Sequence, residues 1–255
     1  MQKLRVLDLF SGIGGFSLGL ERTGGFETVA FCEIEPFCRK VLAKHWPDVP
    51  IFEDVRELKA DAVGPVDIIA GGFPCQDISR SGRQAGIKGS RSGLWSQIVR
   101  LAGELRPRFI VVENVRRLLS GGSGEWFGTI LSDLAEIRFD AEWDCIPASF
   151  VGAPHQRDRV FLTAYQQSNP LSSNPYGLRS YLEKVHQHRG VEFWDEQKRF
   201  AKPSPWWSAV PPVPRVVDGI PTADDKRACV QYGNAVLPQI PEMIGRAILA
   251  AETNV

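Results

Sequence analysis

Short apolar runs alternate with stretches of helical periodicity along most of this chain. Leu4 to Phe10 has the composition of a buried strand, and the turn Ser11-Gly12-Ile13-Gly14-Gly15 leads it into an amphipathic helix near Phe16 to Arg22. Glu27 to Cys32 is a second strand that stops at Glu33. Pro36 then opens a helix running toward His45, because a first helical position loses nothing through proline's missing N–H. Ile51-Phe52 with Asp54-Val55 reads as a short strand end, and Val66 to Ala70 as the next strand. Leu94 to Leu105 is periodic as a helix, Phe109 to Val112 is a strand with Glu113-Asn114-Val115 at its carboxyl end, and Gly124 to Ile137 is helical again. Glu142 to Ile146 and Arg159 to Ala164 are strands, and Ala235 to Ala251 returns to helical period.

This alternation predicts an α/β fold built on a mostly parallel, doubly wound sheet with helices on both faces. In such sheets ligands bind outside the carboxyl ends of the strands. Phe10 to Gly15, Glu33, Asp54, Cys75 and Glu113 all fall at predicted strand ends, so scattered polar residues gather at one edge. After Tyr165 the pattern changes: eight of the 18 prolines lie between Gln166 and Tyr232, with few periodic segments. The expected division is therefore a main domain of residues 1–165 plus 233–255 and a small irregular region of residues 166–232.

Composition narrows the class. The chain has 255 residues, 43% hydrophobic and 24% charged, with a formal net charge of zero, so any surface for a polyanion must be local. Such a surface is visible: from Ile78 to Gly103 there is no acidic residue, while Arg80, Arg83, Lys88, Arg91 and Arg100 interleave with glycines. The five cysteines (32, 38, 75, 145 and 229) are scattered and contain no C-x-x-C pair, which argues against a disulfide framework and against a zinc site, and no metal is expected. The apolar run at the start is too short for a signal peptide, and no run approaches membrane-spanning length. The expectation is a cytoplasmic, monomeric protein with reduced thiols.

The candidate chemistry sits on the predicted strand ends. The strand–Ser-Gly-Ile-Gly-Gly–helix unit offers backbone N–H groups to a ligand. A dinucleotide fingerprint needs glycine at positions 12, 14 and 17, and Ser17 breaks it, which favours an adenosine-type ligand without a pyrophosphate; a tight turn of no function is the plain alternative. Glu33, roughly twenty residues on, is where a carboxylate grips ribose hydroxyls. Asp54 ends the third strand, and either acid alone would pass for a solvated one. Cys75 follows Pro74, and the basic loop after it favours the thiolate. Glu113 is a neighbouring acid that burial would protonate. Arg157 and Arg159 flank Asp158 and project to one side of a strand, suiting an anionic or carbonyl-rich substrate or, more plainly, an ion-pair patch with Asp158.

Taken together the sequence resembles the DNA (cytosine-5-)-methyltransferases. The resemblance is carried by DLFSGIGGFSLGL (8–20), CEIEP (32–36), GGFPCQDIS (71–79), RSGLWSQIVRL (91–101), ENV (113–115), APHQRDRVF (153–161) and YGNAVLPQI (232–240), in the family's order. It implies a Rossmann-like sheet of the S-adenosylmethionine-dependent methyltransferases with a small target-recognition domain, acting on double-stranded DNA in prokaryotic or phage-encoded restriction-modification. By that resemblance Cys75 attacks C6 of a flipped cytosine, Glu113 engages N3, Arg159 binds the base carbonyl and Arg157 positions the phosphate or base. Phe10, Gly12, Gly14, Gly15, Glu33, Ile34, Asp54, Val55, Pro74, Leu94 and Asn234 hold S-adenosylmethionine. Gln76, Ser79, Arg80, Arg83 and Arg91 contact DNA, on a loop that closes as a lid.

Three departures accompany the resemblance. His155 stands where many members have glutamine, Ile34 and not an aromatic packs on the purine, and the recognition region is short, which implies low sequence specificity or a small footprint. An RNA-acting relative, a silent DNA-binding regulator and a nicotinamide oxidoreductase are the alternatives. Gln76 argues against the first, intact Cys75 and Glu113 against the second, and Ser17 against the third.

Overall fold

A computed structural model describes residues 2–74, 93–153, 155–169, 171 and 234–253. Its centre is a seven-stranded sheet in the order β3-β2-β1-β4-β5-β7-β6. The strands are β1 (Leu4–Leu9), β2 (Phe26–Cys32), β3 (Ile51–Phe52), β4 (Ile68–Gly71), β5 (Phe109–Val115), β6 (Phe139–Pro147) and β7 (Asp158–Gln166). The pairs β1–β2, β1–β4, β2–β3 and β4–β5 are parallel. β7 runs antiparallel to both β5 and β6. The helices are α1 (Gly15–Glu21), α2 (Pro36–His45), α3 (Leu94–Leu105), α4 (Glu125–Glu136) and α5 (Gln239–Thr253).

The two faces of the sheet carry separate apolar clusters, as the two-residue period of a strand requires. Leu7 and Leu9 of β1, with Ile69, Ile110 and Leu162, meet Trp95, Ile98 and Leu101 of α3 and Phe127, Ile130 and Leu134 of α4. Leu4 and Val6, with Ile68, Phe109 and Phe161, meet Phe16 and Leu20 of α1 and Ile240, Ile244 and Ile248 of α5. Fully burying one such Leu or Ile contributes about 1.5–3 kcal/mol, so each helix is held mainly by its apolar face.

The final helix begins later than its periodicity predicts, at Gln239 and not Ala235. Pro238 disfavours helical backbone at the residue before it, so the stretch from Ala235 stays irregular. Most of the expected recognition region, 172–233, lies outside the described residues, whereas β7 reaches Gln166 and Leu171 is buried in the α1–α5 cluster. No helix among the described residues is long and apolar enough to cross a membrane.

Candidate active site

The carboxyl ends of β1, β2, β4 and β5 open into one cavity of about 630 Å³. Its lining joins two groups of side chains. Phe10, Gly12, Gly15, Glu33, Ile34, Asp54 and Val55 form one half, and Pro74, Leu94, Glu113, Arg157, Arg159 and Asn234 form the other. All the sequence-predicted cofactor residues except Gly14 are therefore in its wall. Gly14 stands behind the wall: it has φ +87, and a Cβ there would fall 2.6 Å from the Trp46 ring. Its glycine requirement comes from the left-handed turn and this close approach.

The loop after β1 is held by one carboxylate, that of Glu33. Glu33 is 8% exposed and accepts from Gly12 N at 2.6 Å through Oε2 and from Glu35 N at 2.8 Å through Oε1. Two backbone donors thus fix the carboxylate at the cavity wall. Phe10 turns out of β1 with φ +53, a conformation that costs a non-glycine residue about 1–3 kcal/mol and is kept where the surroundings hold it. Ile34 is 60% exposed at the rim, an apolar side chain facing open space. Asp54 is already engaged: Arg56 Nε contacts its two oxygens at 2.9 and 3.0 Å, and these bonds hold its carboxyl below the usual carboxylate range. Any further donor would have to share it with Arg56.

Asp8 is a residue that sequence reading missed. It points to the α1–α5 side of β1, is fully buried, and its Oδ2 accepts from Ser17 Oγ at 2.7 Å and Ser17 N at 3.3 Å. Its Oδ1 is buried without a donor. Burial pushes the carboxyl up to about 7 against the lowering effect of the Ser17 bonds, with Glu33 and Glu21 adding to the rise. The unfolded chain releases this proton near pH 4, so the folded state alone keeps it between about pH 4 and 7. The stability from this group is thus full below about pH 4 and is lost as pH rises through about 7, at roughly 1.4 kcal/mol per pH unit. Asp8→Asn has nothing to titrate. In urea melts its stability relative to the parent is expected to improve from pH 5 and to level off above about pH 7, and a constant difference from pH 5 to pH 8 would refute the assignment.

The other half of the cavity is built on β4, β5 and β7. Glu113 is 8% exposed near the end of β5, directly beside β4, and Arg159 Nε lies 2.8 Å from its Oε1. The contact is an ion pair in distance but not an aligned hydrogen bond, and Oε1 has no donor directed at it. Burial raises the Glu113 pKa, and the charges of Arg159 and Arg157 oppose that rise without cancelling it. Asn114, buried on the adjoining position, donates from Nδ2 to Phe73 O at 3.2 Å and accepts from Val115 N at 2.8 Å. It ties the end of β5 to the backbone that leads through Pro74 toward Cys75, a tether no local pattern announced.

The arginine pair divides. Arg159 faces Glu113, whereas Arg157 donates to the backbone oxygens of Asn234 and Ala235. Asp158 pairs with Arg116 at 3.4 Å and not with the side chain of either neighbour, which removes the ion-pair patch as the reason for the pair. Cys75, Gln76, Ser79, Arg80, Arg83 and Arg91 lie outside the described residues. Among the described cysteines, burial pushes the thiols of Cys32 and Cys38 up to about 12 and raises that of Cys145. The described residues contain no group of three or more His, Cys, Asp or Glu placed to hold a metal.

Residues 4–204 match the family described as C-5 cytosine-specific DNA methylase. The chain belongs to this family. It is 37% identical over 171 residues to the Type II methyltransferase M2.BsuMI of Bacillus subtilis, covering 66% of this chain and 43% of that one. It is 26% identical over 265 residues to the Type II methyltransferase M.NgoBI of Neisseria gonorrhoeae, covering 96% of this chain and 80% of that one. The chain thus spans less than half the length of the first of these relatives. Among solved structures its fold is similar to the Spodoptera frugiperda DNMT2 E260A/E261A/K263A mutant, with a TM-score of 0.55 at 23% identity over 66% of this chain and 51% of that one.

Proposed function

We propose that this protein transfers a methyl group from S-adenosylmethionine to C5 of a cytosine flipped out of double-stranded DNA, through a covalent bond from Cys75 to C6. The observation that supports this most is that one cavity joins a nucleoside-shaped half to an acid–arginine half. The first half suits the cofactor: Phe10 and Ile34 offer apolar surface at its wall, and Glu33 is held ready for hydroxyl donors. A volume of about 630 Å³ lies within the range for a small-molecule pocket. S-adenosylmethionine would supply a methyl group on a positively charged sulfur, open to attack by carbon.

The chain's own residues would do the rest. Cys75, following Pro74 at the cavity wall, adds its sulfur to C6, and the electron pair displaced from the C5–C6 bond makes C5 nucleophilic. Glu113, whose pKa burial raises, gives a proton to N3, so that no full negative charge builds on the ring. Arg159 holds the base carbonyl while its charge stabilises the Glu113 carboxylate left behind. After transfer a solvent water takes the C5 proton, its electron pair re-forms the C5–C6 double bond as the Cys75 sulfur leaves, and the N3 proton returns to Glu113. Gln76, Ser79, Arg80, Arg83 and Arg91 would meet the DNA backbone around the extruded base.

Incubation with tritiated S-adenosylmethionine should label duplex DNA and not tRNA. Duplexes carrying 5-fluorocytosine should trap a covalent adduct, because the fluorine at C5 cannot be eliminated as a proton. A cofactor-dependent shifted band is the expected result; methyl transfer to unmodified duplex without any adduct on the fluorinated one would sink the covalent scheme.

A further inference from the structure

We infer that Arg157 is a positioning residue: it clamps the segment from Asn234 to Pro238 against the cavity, and affinity for S-adenosylmethionine depends on that clamp. This rests on the cofactor reading above. The guanidinium donates from Nη1 to Ala235 O at 2.9 Å and from Nη2 to Asn234 O at 2.8 Å. Two successive carbonyls are spanned by one planar fork, a geometry that a lysine ammonium does not reproduce. The remaining Nε is buried with no acceptor, and burial lowers the pKa of the group, so these bonds operate in a poorly solvated setting.

The same segment is pinched from its other side by α1. A Cβ on Gly15 would fall 2.5 Å from Val236 O, and one on Gly19 would fall 2.2 Å from Pro238 O, so only hydrogen fits at either place. The segment then passes into α5 through Ile240 N to Leu237 O and Glu242 N to Pro238 O, each 3.0 Å. Asn234, Ala235 and Val236 line the cavity. Seventy-seven residues separate Asn234 from Arg157, so local chain connectivity does not place this wall. The R-x-R pair thereby splits its work, one arginine facing the acid and the other holding the wall.

The test is hydrogen exchange and calorimetry on the full chain. In Arg157→Gln the amides of Ile240 and Glu242 are expected to exchange faster, and S-adenosylmethionine to bind about tenfold to a hundredfold more weakly, given the usual size of charged hydrogen bonds. Arg157→Lys, which keeps the charge but reaches one carbonyl at a time, should fall between; it also serves if the glutamine variant does not fold. Gly19→Ala, which touches no cavity atom and pushes on Pro238, should produce the same two changes. Arg159→Lys should leave exchange at Ile240 and Glu242 as in the parent. Parental exchange and cofactor affinity in both Arg157 variants, with the loss confined to DNA affinity and its salt dependence, would overturn the clamp and make Arg157 a substrate contact. If the parent protein binds no S-adenosylmethionine, the cofactor reading fails, and the exchange rates of the free protein still decide whether the clamp exists.

Discussion

Cys75→Ser is expected to abolish methyl transfer to duplex DNA, by about a thousandfold or more, while S-adenosylmethionine still binds with parental affinity. A serine hydroxyl is about the size of the thiol but ionises far less readily and adds poorly to C6 of a pyrimidine. No described cysteine can stand in. Cys32 borders the same cavity, but burial pushes its thiol up to about 12, with Glu33 and Asp54 adding to the rise, so it holds its proton at neutral pH. Cys38 is held at a similar value by burial beside Glu33 and Glu35. Tritium transfer and calorimetry on one preparation separate chemistry from binding. Near-parental transfer by the serine variant would remove Cys75 from the mechanism, and loss of cofactor binding alongside activity would assign it a structural role.

The second large effect is expected from Glu113→Gln, a loss of roughly 10²–10⁴ in the rate of methyl transfer, the usual worth of a positioned general acid. Glutamine preserves the shape and can donate a hydrogen bond to N3, but it has no proton to transfer. The pH profile carries the sharper reading. Burial raises the Glu113 pKa against the opposing charges of Arg159 and Arg157, so the carboxyl stays protonated to higher pH than an exposed glutamate. Activity that depends on that proton is full below the raised pKa and declines as pH rises through it. In the glutamine variant that limb should disappear, leaving a low rate without it. A parental rate, or an unchanged limb, would show that Glu113 is not the acid.

Much of the site was legible because strand ends are marked by composition. A run of apolar residues that breaks at Phe10, Glu33 or Glu113 signals a change from buried ladder to loop, and a parallel sheet aims all such ends at one edge. The Gly-rich turn after β1 and proline at the start of α2 are likewise local signals, since each relieves a specific backbone constraint. The direction of β6 and β7 was not legible, because alternation of apolar side chains is the same in either direction along a strand. Asp8 was hidden for a related reason: one carboxylate within an apolar run does not reveal that a serine nine positions later will satisfy only half of it.

Arg157 and Arg159 both line the cavity at the entry of β7, yet their partners, Asn234 and Ala235 for one and Glu113 for the other, come from distant parts of the chain. By itself the sequence determined the α/β alternation, the sheet edge that carries the site, and the residue types available for cofactor and base. Only the tertiary structure decided which carboxylate is buried, which is clamped by Arg56, and which arginine lies beside Glu113. Local periodicity records how each residue meets the core, whereas hydrogen-bond partners are chosen when separate segments pack together.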